Sequence, residues 1–150
     1  MSTPDSDGPL AEQLLRLTRR VWRIQKHHLQ ARDLGVTPAQ SRLLRTLAHY
    51  ETPPRMADLA SRLEVVPRAV TTLVDGLEAS GKVCRVPDPT NRRVTRIEIT
   101  DEGRETLREL RAARRSAAEE ILAPLSQEQR EVLGGLLDTL VDGTAATKRC

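Results

Sequence analysis

Residues 56–103 constrain the fold more than any other part of the chain, because their patterns predict two short helices, a hairpin and the start of a third helix. Apolar side chains recur at the i, i+3, i+4, i+7 spacing of one buried helix face in residues 56–63 and again in residues 70–77. Pro67 fits the first turn of the second helix, where its missing N–H costs nothing. The apolar positions are Met56, Leu59, Ala60, Leu63, Val70, Leu73, Val74 and Leu77. This order of elements is typical of a winged helix-turn-helix.

The predicted hairpin has a basic tip. In residues 95–99, Thr and Ile alternate with Arg and Glu, which is the period-2 pattern of a half-buried strand. The turn-rich residues 87–91 separate this strand from residues 83–86. The charged residues from position 85 to position 96 are Arg85, Asp88, Arg92, Arg93 and Arg96. The tip therefore has a concentrated positive charge that the whole chain, with 24 basic and 21 acidic residues, lacks.

The face of the second helix opposite its apolar stripe is made of short or hydrogen-bonding side chains. Its residues are Arg68, Thr71, Thr72 and Asp75. Such side chains suit a helix that reads base edges in the major groove of double-stranded DNA. An ordinary solvated helix face has the same pattern, but the basic hairpin that follows favours DNA contact.

Arg92 and Arg93 are expected to contact phosphates or the minor groove. A protruding loop can follow the groove, and guanidinium groups are drawn to its negative potential. Only one of the two is expected to enter the groove, since neighbouring residues of a strand point to opposite sides. A charged turn without a role in DNA binding is the alternative.

Apolar helices are predicted at both ends of the chain. Leucine, valine and isoleucine follow a heptad spacing in residues 10–24, as in a helix that packs along another helix. So much apolar surface does not stay exposed, and a protein that reads a palindrome needs two readers on a two-fold axis. We therefore expect a homodimer, with closure of an intrachain bundle as the alternative. The residues expected at the interface are Leu14, Leu17, Val21, Leu133, Leu136, Leu137 and Leu140.

These patterns predict a mainly α fold with a small β-hairpin (α+β). The terminal helices form a dimerisation domain around the winged helix-turn-helix. Thr37, Thr100 and Ser126 are predicted to cap helices, the last in a capping box with Gln129. The predicted segments are a disordered tail at 1–9, dimerisation helices at 10–33 and 104–143, the DNA-binding domain at 37–103 and a frayed tail at 144–150.

At these residues the sequence resembles the MarR family of bacterial transcription regulators, over roughly residues 10–141. The matching residues are Leu59, Ala60, Leu63, Val70, Thr71, Leu73, Val74, Asp75, Leu77, Glu78, Gly81, Arg85, Asp88, Pro89, Arg92, Arg93, Ile99, Thr100, Asp101, Glu102 and Gly103. The chain departs from the family pattern at five positions of the winged helix-turn-helix, and at two of them, Thr72 and Gly76, basic or polar residues common in the family are missing. Asn91 stands where the family usually has Asp, Val66 where it has a capping Ser or Thr, and Glu64 where it often has Gly.

The resemblance implies a regulator, a repressor in the leading interpretation, that a small molecule releases from DNA. The ligand would occupy a cleft between the DNA reader and the dimerisation helices and shift the population away from the DNA-matching state. Asp88 is expected to pair with Arg85 or with another arginine of the wing, and by resemblance that ion pair shapes the wing. Arg85 and Asp88 are thus the predicted wing-stabilising residues.

The effector is expected to be a small aromatic or anionic molecule. Arg16, Arg20, His27 and His28 are the residues expected to meet its carboxylate or phenolate. Two alternatives remain open: a redox sensor that acts through Cys84 or Cys150, and a winged-helix module that binds protein.

The chain has no motif that predicts catalysis. It lacks a phosphate-binding loop, a nucleophile motif and the spacing of metal ligands. No enzyme activity, cofactor or metal is therefore expected. It also lacks an apolar run long enough to span a membrane and a charged-then-apolar leader, so we expect a cytoplasmic bacterial protein that associates with the nucleoid through DNA.

Overall fold

The computed structural model describes residues 7–146 and folds them into helices around one two-stranded sheet. In chain order the elements are α1 (Asp7–Arg32), α2 (Pro38–Leu47), α3 (Met56–Leu63), α4 (Pro67–Ala79), β1 (Val83–Pro87), β2 (Thr95–Ile99), α5 (Asp101–Leu122) and α6 (Gln127–Ala146). The mainly α class with a small hairpin is confirmed. Over the described residues, none of the helices combines the length and apolar character that crossing a bilayer requires.

Both terminal helices are longer than predicted. Helix α1 begins at Asp7, so residues 7–9 are helical and not part of a tail. Pro9 is compatible with this start because the first helical turn does not use its N–H groups within the helix. Helix α6 continues to Ala146 past the expected end at Gly143, since one glycine costs a helix only about 1 kcal/mol. The rest of the two predicted tails, residues 1–6 and 147–150, lies outside the described residues.

The predicted caps are confirmed. The Thr37 hydroxyl accepts from the Gln40 N–H at 3.1 Å, and the Thr100 hydroxyl accepts from the Gly103 N–H at 3.1 Å. Ser126 and Gln129 form the reciprocal bonds of a capping box. Each cap satisfies N–H groups that the helix itself leaves unpaired.

One aliphatic core lies beneath α2, α3, α4, the hairpin and the first half of α5. Its buried members are Leu43, Leu44, Leu47, Leu59, Ala60, Leu63, Val70, Val74, Leu77, Val83, Ile97, Leu107 and Leu110. The apolar faces predicted for α3 and α4 are therefore the ones that are buried, with Met56 and Leu73 at the edge of the core. Gly103, in the first turn of α5, lies close to the backbone of Lys82. A Cβ at this position would overlap the carbonyl oxygen of Lys82.

The hairpin is attached to the segment that precedes α3. Strands β1 and β2 pair antiparallel, with Val83 opposite Ile99. From β2, the Ile97 N–H donates to the Pro54 carbonyl at 2.9 Å and the Arg96 guanidinium donates to the Pro53 carbonyl at 2.7 Å. These two bonds fix the orientation of the wing relative to the helices below it.

Asp88 organises the turn of the wing. Its side chain is fully buried, and one oxygen accepts from the N–H and the hydroxyl of Thr90 and from the N–H of Asn91 at 2.7–3.2 Å. The other oxygen accepts from Arg96 Nε at 2.7 Å and lies 3.5 Å from Arg55 Nη2. The expected pairing of Asp88 with Arg85 is wrong, because Arg85 extends to α4 instead. The alternative, a pair with another arginine of the wing, is confirmed by Arg96.

We predict that Asp88→Asn loosens the wing and lowers the melting temperature by several degrees at pH 7. Hydrogen bonds from Thr90 and then the Arg96 guanidinium lower the pKa of the Asp88 carboxyl from its ordinary 3.8. A lowered pKa contributes stability that is complete above the unfolded-state value and is lost as the pH falls through the folded-state value. The gap between wild type and variant should therefore be constant above about pH 5 and shrink below about pH 4.

Thermal melts between pH 2 and pH 8, followed by circular dichroism, measure this gap. The matched control is Glu98→Gln, which removes an exposed carboxylate from the same hairpin. A gap for Asp88→Asn as small as that of the control, or one that does not change with pH, would show that the carboxylate does not hold the wing.

Candidate nucleic-acid interface

Helix α4 presents the polar face that its sequence predicts. Arg68, Thr71, Thr72 and Asp75 are all exposed, while the opposite face is buried in the core. The Thr71 and Thr72 hydroxyls each donate to the carbonyl one turn earlier, at 3.2 Å. Each hydroxyl oxygen keeps its acceptor lone pairs available to an external donor.

The tip of the hairpin carries two exposed cations. Arg92 and Arg93 follow Asn91, whose side-chain oxygen accepts from the Arg93 N–H at 3.1 Å and whose carbonyl accepts from the Val94 N–H at 3.0 Å. Asn91 thus closes the turn by hydrogen bonds that need no negative charge. Within the described chain, neither arginine forms an ion pair, so both guanidinium groups face solvent with their charge uncompensated.

Arg85 joins the hairpin to α4. Its guanidinium contacts Asp75 at 2.5 Å and Glu78 at 2.7 Å, and its N–H donates to Glu78 at 3.1 Å. The hydrogen bond to Asp75 is the main reason why the pKa of Arg85 is raised. This arrangement fixes the base of the wing against α4 and offsets one of the two negative charges that point from α4 toward the hairpin.

The sequence did not reveal these partners of Arg85. Asp75 was expected to face DNA and Arg85 was expected to act within the wing. Ten residues separate Asp75 from Arg85, and only the packing of β1 beside the end of α4 brings them together. The sequence does contain a signal for this pair. The exposed stripe of α4 carries an acidic residue, and the strand that follows carries an arginine.

The four residues expected around an effector are not brought together. Arg16 and Arg20 lie along an open groove formed by residues 13–23 of α1 alone. His28 contacts Glu120 of α5 at 3.0 Å, and His27 is exposed beside it. Arg16, Arg20 and His27 share one side of α1 but are spread over about 16 Å of its length, at about 1.5 Å per residue. His28 points toward α5.

A cavity of about 590 Å³ lies instead between the second half of α1 and the start of α2. Its apolar wall includes Trp22, Leu29, Leu34 and Val36. The remaining lining residues are Gln25, Lys26, Gln30, Asp33, Gly35, Thr37, Pro38, Ser41 and Arg45. None of the four expected residues lines this cavity.

Arg45 is the cation that sequence reasoning missed. It is half-buried, and its Nε donates to the Ser41 carbonyl at 3.4 Å. Burial is the main cause that lowers the pKa of Arg45, and repulsion from Arg114 and Arg42 adds to it. Its spacing of four residues from buried Ser41 could have shown that both lie on the inner face of α2.

The remaining large exposed apolar side chains lie mostly on α1 and α6. Those on the two helices are Leu10, Leu14, Leu15, Leu17, Trp22, Val132, Leu136, Leu137, Leu140 and Val141, with exposures between 45% and 74%, and Val66 is the further one. Of the other residues expected at an interface, Val21 and Leu133 are half-buried. Cys84 is a half-buried free thiol on β1, and Cys150 lies outside the described residues.

Comparison with known proteins gives consistent results. The MarR family model matches residues 36–95. The chain is 31% identical over 125 residues to the HTH-type transcriptional repressor MdtR of Bacillus subtilis, a match that covers 83% of this chain and 80% of that protein.

Solved structures share the fold. RV1404 from Mycobacterium tuberculosis superposes with a TM-score of 0.80 at 29% identity, covering 97% of each chain. A mutant of MepR from S. aureus, solved bound to an oligodeoxyribonucleotide, superposes with a TM-score of 0.71 at 19% identity and covers 90% of this chain and 97% of that one. Together with the winged helix described above, these matches show that the chain belongs to the MarR family of transcriptional regulators, which are not enzymes.

Proposed function

We propose that the protein is a homodimeric repressor that binds an inverted repeat in double-stranded DNA and is released by a small aromatic or anionic ligand. The observation that carries the DNA-binding part is the joint presentation of the α4 face and the arginine tip, held together by Arg85. MdtR, which is similar to this chain over most of its length, is a transcriptional repressor, and this supports repression over activation.

The two parts of this surface have different tasks in the proposal. Arg68, Thr71 and Thr72 read base edges in the major groove, where guanidinium and hydroxyl groups match the pattern of donors and acceptors. Arg92 and Arg93 contact phosphates or the minor groove. The ion pair with Arg85 supports a positioning role for Asp75 on this surface, since a free carboxylate beside DNA would be repelled.

The dimer part rests on exposed apolar faces. Helix α6 leaves Leu136, Leu137 and Leu140 at least 45% exposed, and α1 does the same with Leu14 and Leu17. An apolar surface of this extent on two long helices marks an interaction site. A two-fold dimer through these helices would hold two α4 helices about one turn of DNA, ~10 bp, apart.

The effector part rests on the cavity between α1 and α2. A volume of about 590 Å³ is in the range of sites for small molecules. Its apolar wall suits an aromatic ring. Arg45, which forms no ion pair within the described chain, and Lys26 outnumber the one acid of the lining, Asp33, so the site favours an anion.

We predict that selection from a randomised 30-bp duplex pool enriches an inverted repeat with half-site centres ~10 bp apart. On the enriched duplex, the double variant Arg92→Ala, Arg93→Ala should bind more weakly. The slope of log affinity against log salt, which is negative, should become less steep by about 2, because each phosphate contact releases about 0.9 counterion. Arg68→Ala should instead change the preferred bases.

The matched control is Arg104→Ala, Arg108→Ala, which removes two exposed arginines from α5 and changes the net charge equally. An unchanged salt slope for the hairpin variant would contradict its assigned role. If no duplex were enriched, the protein-binding module would replace the DNA-binding proposal.

We predict that Leu136→Glu, Leu140→Glu yields a monomer, because two carboxylates placed in an apolar contact would lose their hydration. Light scattering after size exclusion measures the mass, and operator affinity should fall at least about 100-fold once the two readers separate. The control Gln127→Glu, Gly135→Glu adds the same charge away from the apolar stripe of α6, at Gly135 into open space, and should remain dimeric. A monomeric wild type, or a charged variant that dimerises normally, would favour the intrachain alternative.

We predict that salicylate, used as a test ligand, raises the melting temperature and weakens binding to the enriched duplex. In Arg45→Gln the half-effective concentration should rise about tenfold, as expected when one charge-assisted hydrogen bond is lost. Arg16→Gln and Arg20→Gln are the controls outside the cavity. A response to peroxide that disappears in Cys84→Ser, Cys150→Ser, with no response to salicylate, would favour the redox alternative.

A further inference from the structure

Val66 differs from every other large exposed apolar residue of the described chain. All the others lie on α1 or α6, the helices of the proposed dimer interface, whereas Val66 immediately precedes α4 and is 67% exposed. Its side chain is not part of the core or of the residues packed against it. The packing of the monomer therefore gives no reason for an apolar side chain at this position.

The helix itself would favour a different residue here. Val66 is the N-cap of α4, with φ −68° and ψ 148°, and it makes no side-chain hydrogen bond to the first turn. Its carbonyl does accept from the Ala69 N–H at 3.0 Å, so the backbone already has the capping conformation. Ser, Thr, Asp or Asn would satisfy a further N–H from this position, which Val cannot do.

The position of Val66 identifies what it could contact. In a helix-turn-helix, the N-terminal residues of the recognition helix approach base edges in the major groove. The Arg68 and Thr71 side chains project from the same end of α4, and both are exposed. Most groups on the major-groove edge are hydrogen-bond donors or acceptors, and the apolar one is the C5-methyl group of thymine.

We propose that Val66 is a specificity-determining residue that packs against the C5-methyl group of a thymine in each half-site. This inference rests on the proposed DNA-binding function. A protein partner would need a contiguous apolar patch. Among residues 64–71, Val66 and Pro67 are the exposed apolar residues, and the exposed residues beside them, Glu64, Arg68 and Thr71, are polar or charged. A thymine methyl, in contrast, offers an apolar contact of the size of one valine side chain.

The test compares thymine with deoxyuridine, which lacks only the methyl group. On the duplex enriched from the randomised pool, each thymine pair related by the two-fold symmetry is replaced in turn by deoxyuridine. For the wild type, one replacement should weaken binding about fourfold per buried methyl. For Val66→Ser the same replacement should have no effect, and the variant should melt at or above the wild-type temperature because Ser can cap α4.

Ala79→Ser, an exposed position at the other end of α4, is the matched control and should keep the full effect of deoxyuridine. If no deoxyuridine replacement weakens wild-type binding, or if Val66→Ser loses the same affinity as the wild type at every position, the inference is wrong while DNA binding stands. If no duplex is enriched, the proposed function fails first and the inference fails with it.

Discussion

The attachment of the wing through Arg96 is the interaction on which the proposed reading surface depends, that is, the exposed face of α4 together with Arg92 and Arg93. A two-stranded hairpin has little stability of its own, and this one receives support from a side chain that bonds in two directions. Arg96 donates to the buried Asp88 carboxylate inside the wing and to the Pro53 carbonyl outside it. Because Pro53 lies just before α3, the hairpin tip and the helix-turn-helix cannot move independently without breaking a charge-assisted bond.

The charges on the reading surface are divided into paired and unpaired groups. Asp75 and Glu78 lie on α4, where their repulsion from phosphates would oppose binding, and both are bonded to Arg85. Arg92 and Arg93 form no ion pair within the described chain, so their charge is not compensated by an acid. A chain with a formal net charge of only +3 can therefore present a basic surface, because one arginine partly offsets the acids of α4 while Arg92 and Arg93 stay uncompensated.

Local patterns in the sequence predicted the elements well and their side-chain partners poorly. The caps at Thr37, Thr100 and Ser126 and the apolar spacing of α3 and α4 depend on neighbours within one or two turns, so they can be recognised without the fold. The partners of Arg85 and Asp88, and the position of Arg45 beside a cavity, depend on which elements pack together. An arginine side chain can reach several carboxylates, and the sequence alone does not distinguish among them.

The position of the cavity explains how a ligand could act on the reading helix. Thr37, Pro38 and Ser41 in the first turns of α2 line the cavity. Gln40 of the same turn lies against Gly76 of α4, where an added Cβ would come within 2.6 Å of Gln40 Nε2. A proposed ligand that shifts the start of α2 would thus displace a side chain in direct contact with α4. Because closely packed groups transmit small displacements, this contact would give the proposed dimer a short path from the cavity to the spacing of its two α4 helices.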